Sequence, residues 1–191
     1  NLAMTQAVSR DLPFDVRRDL VPVIMTAKIA FVLVIHPSLP ARDMKAFLAL
    51  ARARPGALDY GSSGAGSPPH FAIELLKHAA GIDIRHIPYK GASTGMIDLL
   101  GGQVQAILIS ITLATPNVRA GKLRGMAVTG PKRSPSFPDL PAIGEVVKGF
   151  ESTAWFGVFG PAHMPADVTG KLNTAIVAAL KDPKLRTQLE T

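Results

Sequence analysis

A short segment rich in glycine and serine, GSSGAGS from Gly61 to Ser67, offers the clearest chemistry in the sequence. It contains three glycines and three serines, two prolines follow it, and an apolar-periodic segment begins directly behind them. Glycines let a ligand approach the backbone N–H groups closely, and a helix N-terminus adds partial positive charge. The pattern is therefore typical of a site for a phosphate, an acyl-transfer oxyanion or a carboxylate.

Two nucleotide-binding motifs do not fit this segment. A dinucleotide fingerprint needs G-x-G-x-x-G; Gly64 and Gly66 supply its first half, but Pro69 stands where the third glycine belongs. A Walker-type phosphate loop needs G-x-x-x-x-G-K-[ST]; Gly61 and Gly66 have the spacing, but Ser67 replaces the lysine. Because the phosphates would lack that positive charge, nucleotide hydrolysis is not expected.

A serine hydrolase with Ser63 as nucleophile is an alternative that the segment supports only in part. Gly61 and Ser63 match the G-x-S-x-G nucleophile elbow, but Ala65 occupies the position of the last glycine. A general base is also needed, and none of the five histidines stands out as one: His36, His70, His78, His86 and His163. We expect these histidines to be surface or hydrogen-bonded structural residues. No metal-ligand spacing such as H-E-x-x-H occurs, so neither a metal nor a cofactor is predicted.

Binding of a carboxylate, with no bond broken, is the interpretation that the spacing favours. The residues that would supply the donors are named here the glycine–serine loop: Ser62, Ser63, Gly64, Ala65, Gly66 and Ser67. Its backbone N–H groups and serine hydroxyls would hold one carboxylate ahead of a helix that Ser67 caps and Pro68 begins. The competing interpretation is a flexible strand-to-helix turn with a good cap that binds nothing.

The composition limits the class of protein. The chain has 191 residues, 47% of them hydrophobic and 18% charged, which suits one large domain or two small lobes and argues against disorder. The absence of cysteine excludes disulfides, thiolate catalysis and cysteine-ligated zinc. A net charge of +7 would help to gather anionic solutes. The basic residues come in scattered pairs, with one Trp and two Tyr for stacking, so no nucleic-acid partner is expected.

Apolar strands alternate with short helices along the chain, which predicts an α/β architecture with a mostly parallel sheet. The apolar run from Ile29 to Ile35 is far too short to span a bilayer and is typical of a buried strand. The helix after Ser67 should end at Gly81, and Asn1 to Val8 is typical of a helix tail. The C-terminal residues LRTQLET are typical of the middle of a helix. Because the sequence thus begins and stops inside a helix, we interpret it as a fragment.

Further candidate ligand contacts lie where strands end, because ligands of open α/β sheets sit outside the carboxyl ends of the strands. Ser110 and Thr112 lie just past one such end, while Tyr89 and Lys90 end another strand and open a helix. Lys90 is equally well explained as a solvated surface charge. Trp155 either covers the ligand or packs in the core.

The segment YGSSGAGSPPHFAIELLKHAAGIDIRHIPYKGASTGMIDLLGGQVQ resembles the substrate-binding proteins of tripartite tricarboxylate transporters, the Bug family. The resemblance covers essentially the whole chain, and the pieces GSxGxGS, HxPYKG and LLGGQVQ, in that order, make it specific. It implies a periplasmic, monomeric protein that is not an enzyme. Such a protein captures a small organic acid and delivers it to the membrane components of a tripartite tricarboxylate transporter.

The resemblance also implies a fold. This is a two-lobed α/β fold of the periplasmic-binding-protein-like type II class, with one lobe nearly complete and the other partial. Residues 37–153 would form the nearly complete lobe, and residues 1–36 and 154–191 would form parts of the other. The segments VLVIHP and STAWFGVF would cross between the lobes. The relatives' first strand with its glycine-rich loop and their C-terminal segment have no counterpart here, which predicts truncation at both ends.

One departure from the family predicts the kind of ligand. Many relatives have an aspartate at the end of the strand after GGQVQ, where it meets a ligand's ammonium group, but this sequence has Ile109 and Ser110 there. A neutral, partly apolar strand end cannot balance an ammonium group. We therefore expect a di- or tricarboxylate or an aromatic acid rather than an amino acid.

Overall fold

The chain divides into two compact units. The structure, a computed structural model, describes residues 13–185, so the helix tail predicted at Asn1 to Val8 lies outside the described residues. The large unit consists of residues 29–154, and the small unit consists of residues 1–28 and 155–191. The lobe boundaries implied by the resemblance, after residue 36 and before residue 154, stay a prediction.

Strand β1 (Leu20–Ile35) begins in the small unit and ends in the large one. The sequence predicted a buried strand from Ile29 to Ile35, but the strand already starts at Leu20, and a one-turn helix, α1 (Val16–Asp19), precedes it. The first half of β1 is mostly part-exposed and contacts β6 (Thr153–Pro161). The sequence of this half is apolar from Leu20 to Met25, but Pro22 interrupts it, and a proline within such a run argues against a strand.

Local signals place the helices close to where the sequence predicted them. Asp43, Ser67 and Ser110 each cap a helix by accepting a hydrogen bond from a backbone N–H three residues on. Gly81 ends its helix in the left-handed conformation, with φ 60°. The large unit contains α2 (Met44–Ala53), α3 (Pro68–Ala80), α4 (Ala92–Leu100), α5 (Ile111–Arg119) and α6 (Ile143–Val146), and the small unit contains α1 and α7 (Ala166–Leu180). Within residues 13–185 none of the helices has the length and apolar character that crossing a bilayer requires.

Residues 13–185 form a six-stranded sheet in the order β3-β2-β4-β1-β5, with β6 paired to β1. The remaining strands are β2 (Asp59–Ser62), β3 (Arg85–Pro88), β4 (Ala106–Ser110) and β5 (Arg124–Val128). β2 runs parallel to β3 and β4, whereas β1 runs antiparallel to β4 and β5. The prediction of a mostly parallel sheet is therefore wrong for β1. A central strand buried on both faces is a continuous apolar run in either direction, so the sequence pattern does not reveal its direction.

An apolar layer covers each face of the sheet in the large unit. Leu33 and Ile35 pack with residues of α2 and α3, whereas Val32 and Val34 pack with residues of α4 and α5. This alternation follows from the two-residue period of a strand. All four side chains are fully buried, and each contributes about 1.5–3 kcal/mol relative to an exposed position. These layers hold the strands that carry the candidate site.

Three strands end at one edge of the sheet, which we call the carboxyl edge. Ser62 of β2 pairs with Pro88 of β3, and Gly61 pairs with Ile107 of β4, so the three carboxyl ends lie side by side. Helices α3, α4 and α5 follow these strands in turn, so their N-termini lie along the same edge. Partial positive charge at three helix starts favours an anion there.

Candidate functional site

The glycine–serine loop connects β2 to α3 at the carboxyl edge. Gly64 and Gly66 have φ angles of 123° and 76°, a backbone region that residues with a side chain rarely adopt. A Cβ atom at Gly64 would in addition lie 3.3 Å from the carbonyl oxygen of Tyr89. These two glycines are therefore required by the shape of the loop itself.

Most polar groups of the loop are hydrogen-bonded within the protein. The Gly64 N–H donates to Ser62 Oγ at 3.1 Å, and the Ser67 N–H donates to the Gly64 carbonyl at 3.2 Å. The Gly66 N–H donates to His70 Nδ1 at 3.2 Å, and Ser67 Oγ accepts from the His70 N–H at 3.4 Å. The three N–H groups of Gly64, Gly66 and Ser67 fix the shape of the loop and cannot also hold a ligand without rearrangement, whereas the Ser67 hydroxyl accepts one bond and can still donate its own proton.

The unengaged backbone donors lie in the middle of the loop. In the described part of the chain, the N–H and hydroxyl of Ser63 and the N–H of Ala65 donate to no protein acceptor. Ser63 is half-buried, and Ala65 is exposed. The prediction assigned ligand contacts to all six loop residues, and the structure leaves Ser63 and Ala65 as the two with free backbone donors.

Helix α3 contributes charge to this region but few hydrogen bonds. Its first two residues are Pro68 and Pro69, which have no N–H, and the N–H of His70 is taken by Ser67. The partial positive charge of the helix N-terminus remains and favours an anion. Hydrogen bonds to a ligand at this end of the helix must therefore come from the loop.

The start of α4 offers donors that the sequence did not single out. Gly91 precedes the helix without a side-chain cap, and the Gly95 N–H makes the first helical hydrogen bond, to the Gly91 carbonyl. The N–H groups of Ala92, Ser93 and Thr94 precede that bond and are left over, as in the first turn of any helix. The side chains of Ser93 and Thr94 are exposed. The available signal was the segment KGAST, in which small and hydroxyl-bearing residues follow a strand.

Tyr89 and Lys90, both predicted ligand contacts, have different surroundings. The Tyr89 hydroxyl donates to Asp98 Oδ2 at 2.8 Å, and its ring packs so tightly that a Cβ at Gly61 or Gly95 would lie 3.0 Å from it. Burial, together with the hydrogen bond to Asp98, raises the pKa of Tyr89 to about 12. Tyr89 thus has a packing role at the end of β3, whereas Lys90 is exposed next to it.

Ser110 and Thr112 lie along the carboxyl edge at β4, the strand next to β2. Ser110 is the last residue of β4 and caps α5, because its Oγ accepts from the Leu113 N–H at 3.4 Å. Thr112 lies in the first turn of α5 and not in a loop past the strand, and its side chain is exposed. Both keep their place as candidates, with Ser110 partly committed to capping.

Trp155 belongs to the small unit, whereas the glycine–serine loop belongs to the large one. Its side chain is 46% exposed, and its ring is tilted against Phe159 with centroids 6.0 Å apart. The two rings line an apolar cavity of about 540 Å³ in the small unit, together with Pro22, Val23, Ile24, Met25 and Lys28. Such exposure does not fit the alternative of a core tryptophan, and a role in covering the ligand stays a prediction.

Three stacked rings support the loop, and we call them the ring stack: Tyr60, His86 and His70. His86 lies between the other two, with centroid distances of 4.9 Å to Tyr60 and 4.1 Å to His70. His86 Nε2 is 2.7 Å from Ser62 Oγ. The expectation that the histidines are hydrogen-bonded structural residues is confirmed for His70 and His86.

The ring stack sits on a charged pair in α3. The Tyr60 hydroxyl donates to Glu74 Oε1 at 2.7 Å, and Lys77 Nζ donates to the same oxygen at 3.0 Å. Burial would raise the pKa of Glu74, but the hydrogen bonds from Tyr60 and Lys77 outweigh it and lower that pKa. Burial and the nearby His70 lower the pKa of His86. His86 is therefore neutral at neutral pH, while Glu74 is ionised.

The alternative of a serine hydrolase is not supported. His86 contacts Ser62 and not Ser63, and Ser62 is fully buried. The Ser62 hydroxyl is also engaged with the carbonyl and the N–H of Gly64. A nucleophile must reach its substrate, which Ser62 cannot do in this position. Within residues 13–185, no three His, Cys, Asp or Glu side chains come together in a way that could hold a metal ion.

Comparison with known sequences gives a family. The sequence matches the tripartite tricarboxylate transporter family receptor over residues 3–191. A UPF0065 protein from the tcbD-tcbE intergenic region of Pseudomonas sp. strain P51 is 36% identical over 174 residues, which are 90% of this chain and 52% of the relative. The protein BugT of Bordetella pertussis is 34% identical over 181 residues, 94% of this chain and 56% of the relative. The chain thus spans about half the length of the curated relatives it matches.

Solved structures give the same fold. The periplasmic binding protein BugD is 28% identical with a TM-score of 0.84, covering 98% of this chain and 63% of that one. An R. palustris protein solved with adipate is 35% identical with a TM-score of 0.81, covering 93% and 60%. MatC from Rhodopseudomonas palustris, solved with bound malate, is 27% identical with a TM-score of 0.82, covering 98% and 64%. The predicted fold class and the resemblance on which it rested are both confirmed.

Proposed function

We propose, on the premise that this chain belongs to the tripartite tricarboxylate transporter receptor family, that the protein is a periplasmic solute-binding protein for small carboxylates. It captures an organic acid without transforming it, and the family is one of receptors and not of enzymes. The proposal includes delivery of the acid, by a monomer, to the membrane components of a tripartite tricarboxylate transporter.

The observation that carries the proposal is the set of unengaged donors at the carboxyl edge. They are the N–H and hydroxyl of Ser63 and the N–H of Ala65, next to the first-turn N–H groups of Ser93 and Thr94. The two groups follow β2 and β3, which are adjacent and parallel. An ionised carboxylate offers only acceptors, so it is the functional group that such a set of donors fits.

The class of acid follows from the surroundings of the donors. Adipate and malate, the acids present with two of the neighbours, each carry two carboxylates. At the end of β4, Ile109 is buried and Ser110 caps a helix, so neither residue balances an ammonium group. Lys90 is exposed at the same edge and has the charge that a second carboxylate requires. These features favour di- or tricarboxylates or aromatic acids over amino acids.

Isothermal titration calorimetry on the protein tests the proposal. Adipate, malate, succinate and citrate should bind, and aspartate and glutamate should bind more weakly. Each charge-assisted hydrogen bond contributes about 1.5–3 kcal/mol, so Ser63→Ala should weaken binding by roughly tenfold or more. Ser136→Ala, which removes an exposed hydroxyl elsewhere in the large unit, is the matched control and should change nothing. Tighter binding of aspartate or glutamate than of succinate or citrate would contradict the predicted ligand class, and binding of none of these acids would contradict the function.

A further inference from the structure

We propose that His70 and His86 position the glycine–serine loop, and that a proton on His70 Nδ1 releases the loop and weakens its hold on a carboxylate. The release of the loop on protonation depends only on the contacts described above. The consequence for a carboxylate rests on the proposed function. The two parts therefore have separate tests.

Each histidine holds a different part of the loop. His86 Nε2 lies 2.7 Å from Ser62 Oγ, and Ser62 Oγ in turn contacts the N–H and the carbonyl of Gly64, both at 3.1 Å. His70 Nδ1 accepts from the Gly66 N–H at 3.2 Å. The free N–H groups of Ser63 and Ala65 therefore lie between points that the two histidines fix, and their direction depends on those points.

The two histidines differ in what a proton does to their contacts. The bond from the Gly66 N–H needs a lone pair on His70 Nδ1, so His70 is neutral there and carries its proton on Nε2. A proton on Nδ1 would place two donors face to face, and the Gly66 contact would break. His86 can donate from Nε2 to Ser62 Oγ whether it is neutral or charged, because the Ser62 hydroxyl can donate to the Gly64 carbonyl. The loop is therefore sensitive to protonation of His70.

His86 lies on β3 and His70 on α3. The other titratable groups around the pair are Tyr60 of β2 and Glu74 and Lys77 of α3. Glu74 favours a proton on His86, whereas burial, His70 and Lys77 oppose it, with burial the strongest of the three. The two imidazole rings are 4.1 Å apart, so they take up one proton more readily than two. Burial opposes a charge on His86, and it is a proton on His70 Nδ1 that would break the contact with the Gly66 N–H.

The direction of the pH effect separates positioning from simple attraction. A positive charge near the loop would by itself strengthen the binding of an anion. The charge on His70 comes only with loss of the Gly66 contact, which shapes the loop around Ser63 and Ala65. If His70 acts by holding the loop in place, binding of the carboxylate should weaken at acidic pH. If a charged His70 only attracts the carboxylate, binding should strengthen.

The loop's response is tested without any ligand, by NMR of the ¹⁵N-labelled protein between about pH 8 and about pH 5, a range that spans the ordinary titration of histidine. The amide signals of Gly64 and Gly66 should shift with the same midpoint as the His70 ring. In His70→Asn the side-chain oxygen can still accept from Gly66 but cannot titrate, so the amide shifts should disappear. His78→Asn, on an exposed position of the same helix, is the control and should leave them. A Gly66 amide shift whose midpoint differs from that of the His70 ring, or that persists in His70→Asn, would overturn the proposal.

The consequence for binding is tested by calorimetry with adipate at about pH 7.5 and about pH 5.5, again on either side of the ordinary histidine pKa. The wild type should lose affinity about three- to tenfold at the lower pH, the loss expected from one hydrogen bond. His70→Asn should bind equally at both values, and His70→Ala should bind weakly at both. Stronger wild-type binding at the lower pH would contradict the positioning role. Where no acid binds at either pH while Gly66 still titrates with His70, the proposed function fails and the positioning role stands.

Discussion

The two units of the chain differ in how completely they bury their apolar side chains. The large unit packs an apolar layer on each face of its sheet, and residues such as Phe47 are fully buried. In the small unit, α7 has fifteen residues and none of them is buried. Val23 is the one buried hydrophobic residue among the described parts of the small unit, residues 13–28 and 155–185. The large unit therefore has a core of its own, and that core fixes the strands and helices around the glycine–serine loop.

The largest predicted contrast between the units is in core truncation. Phe47→Ala in the large unit should lower the free energy of unfolding by about 3–5 kcal/mol, because it removes a fully buried ring and leaves a cavity. Leu172→Ala in the small unit should change it by no more than about 0.5 kcal/mol, because Leu172 is 41% exposed. Urea denaturation of both variants measures the two values. Similar losses in both would mean that the difference in burial does not govern stability.

A second pair of variants should give effects of opposite sign. A Cβ at Gly95, in α4, would lie 2.7 Å from Ile107 Cδ1 and 3.0 Å from the Tyr89 ring, so Gly95→Ala should destabilise the protein by about 1–3 kcal/mol. A Cβ at Gly170, in α7, meets nothing within 4 Å, so Gly170→Ala should stabilise it by about 0.5–1 kcal/mol through helix propensity. The same denaturation experiment compares them. Stabilisation by Gly95→Ala would show that the large unit is packed more loosely than the structure indicates.

A smaller effect is expected from pH. Burial lowers the pKa of His86 in the folded state from its ordinary value of 6.5. Below that value the unfolded chain binds more protons at this position than the folded one, so stability falls as the pH is lowered. Urea denaturation at several pH values should show this fall, and His86→Gln should reduce its slope. His78→Gln, an exposed position, should leave the slope unchanged; an unchanged slope in His86→Gln would contradict the assignment.

The sequence could predict those features of the fold that depend on neighbouring residues. Ser67 as the cap of α3, Pro68 at its start and Gly81 at its end are set by local backbone chemistry, and all three are confirmed. The family resemblance added the fold class, because long matching segments carry more information than periodicity does. The direction of β1 could not be predicted, since burial on both faces leaves the same apolar run in either case.

The contacts that shape the loop could be predicted only in part. The sequence indicated that the glycines of the loop allow a close approach to the backbone, and the structure adds that Gly64 and Gly66 have positive φ angles. The contact between Ser62 and His86 joins residues 24 positions apart and depends on the register of β2 and β3. Pro68 was correctly placed at the helix start, yet the missing N–H groups of Pro68 and Pro69 leave the loop, and not the helix, as the source of donors. Which donors stay free is thus decided by tertiary contacts.

The measurement that tests the central claim most directly is an NMR titration of the ¹⁵N-labelled protein with adipate. Backbone donors that hold a carboxylate shift strongly when it binds. The account predicts the largest shifts at the Ser63 and Ala65 amides, smaller ones at Ser93 and Thr94, and adipate recovered unchanged. Shifts confined to residues away from the carboxyl edge, or conversion of the acid to a product, would contradict it.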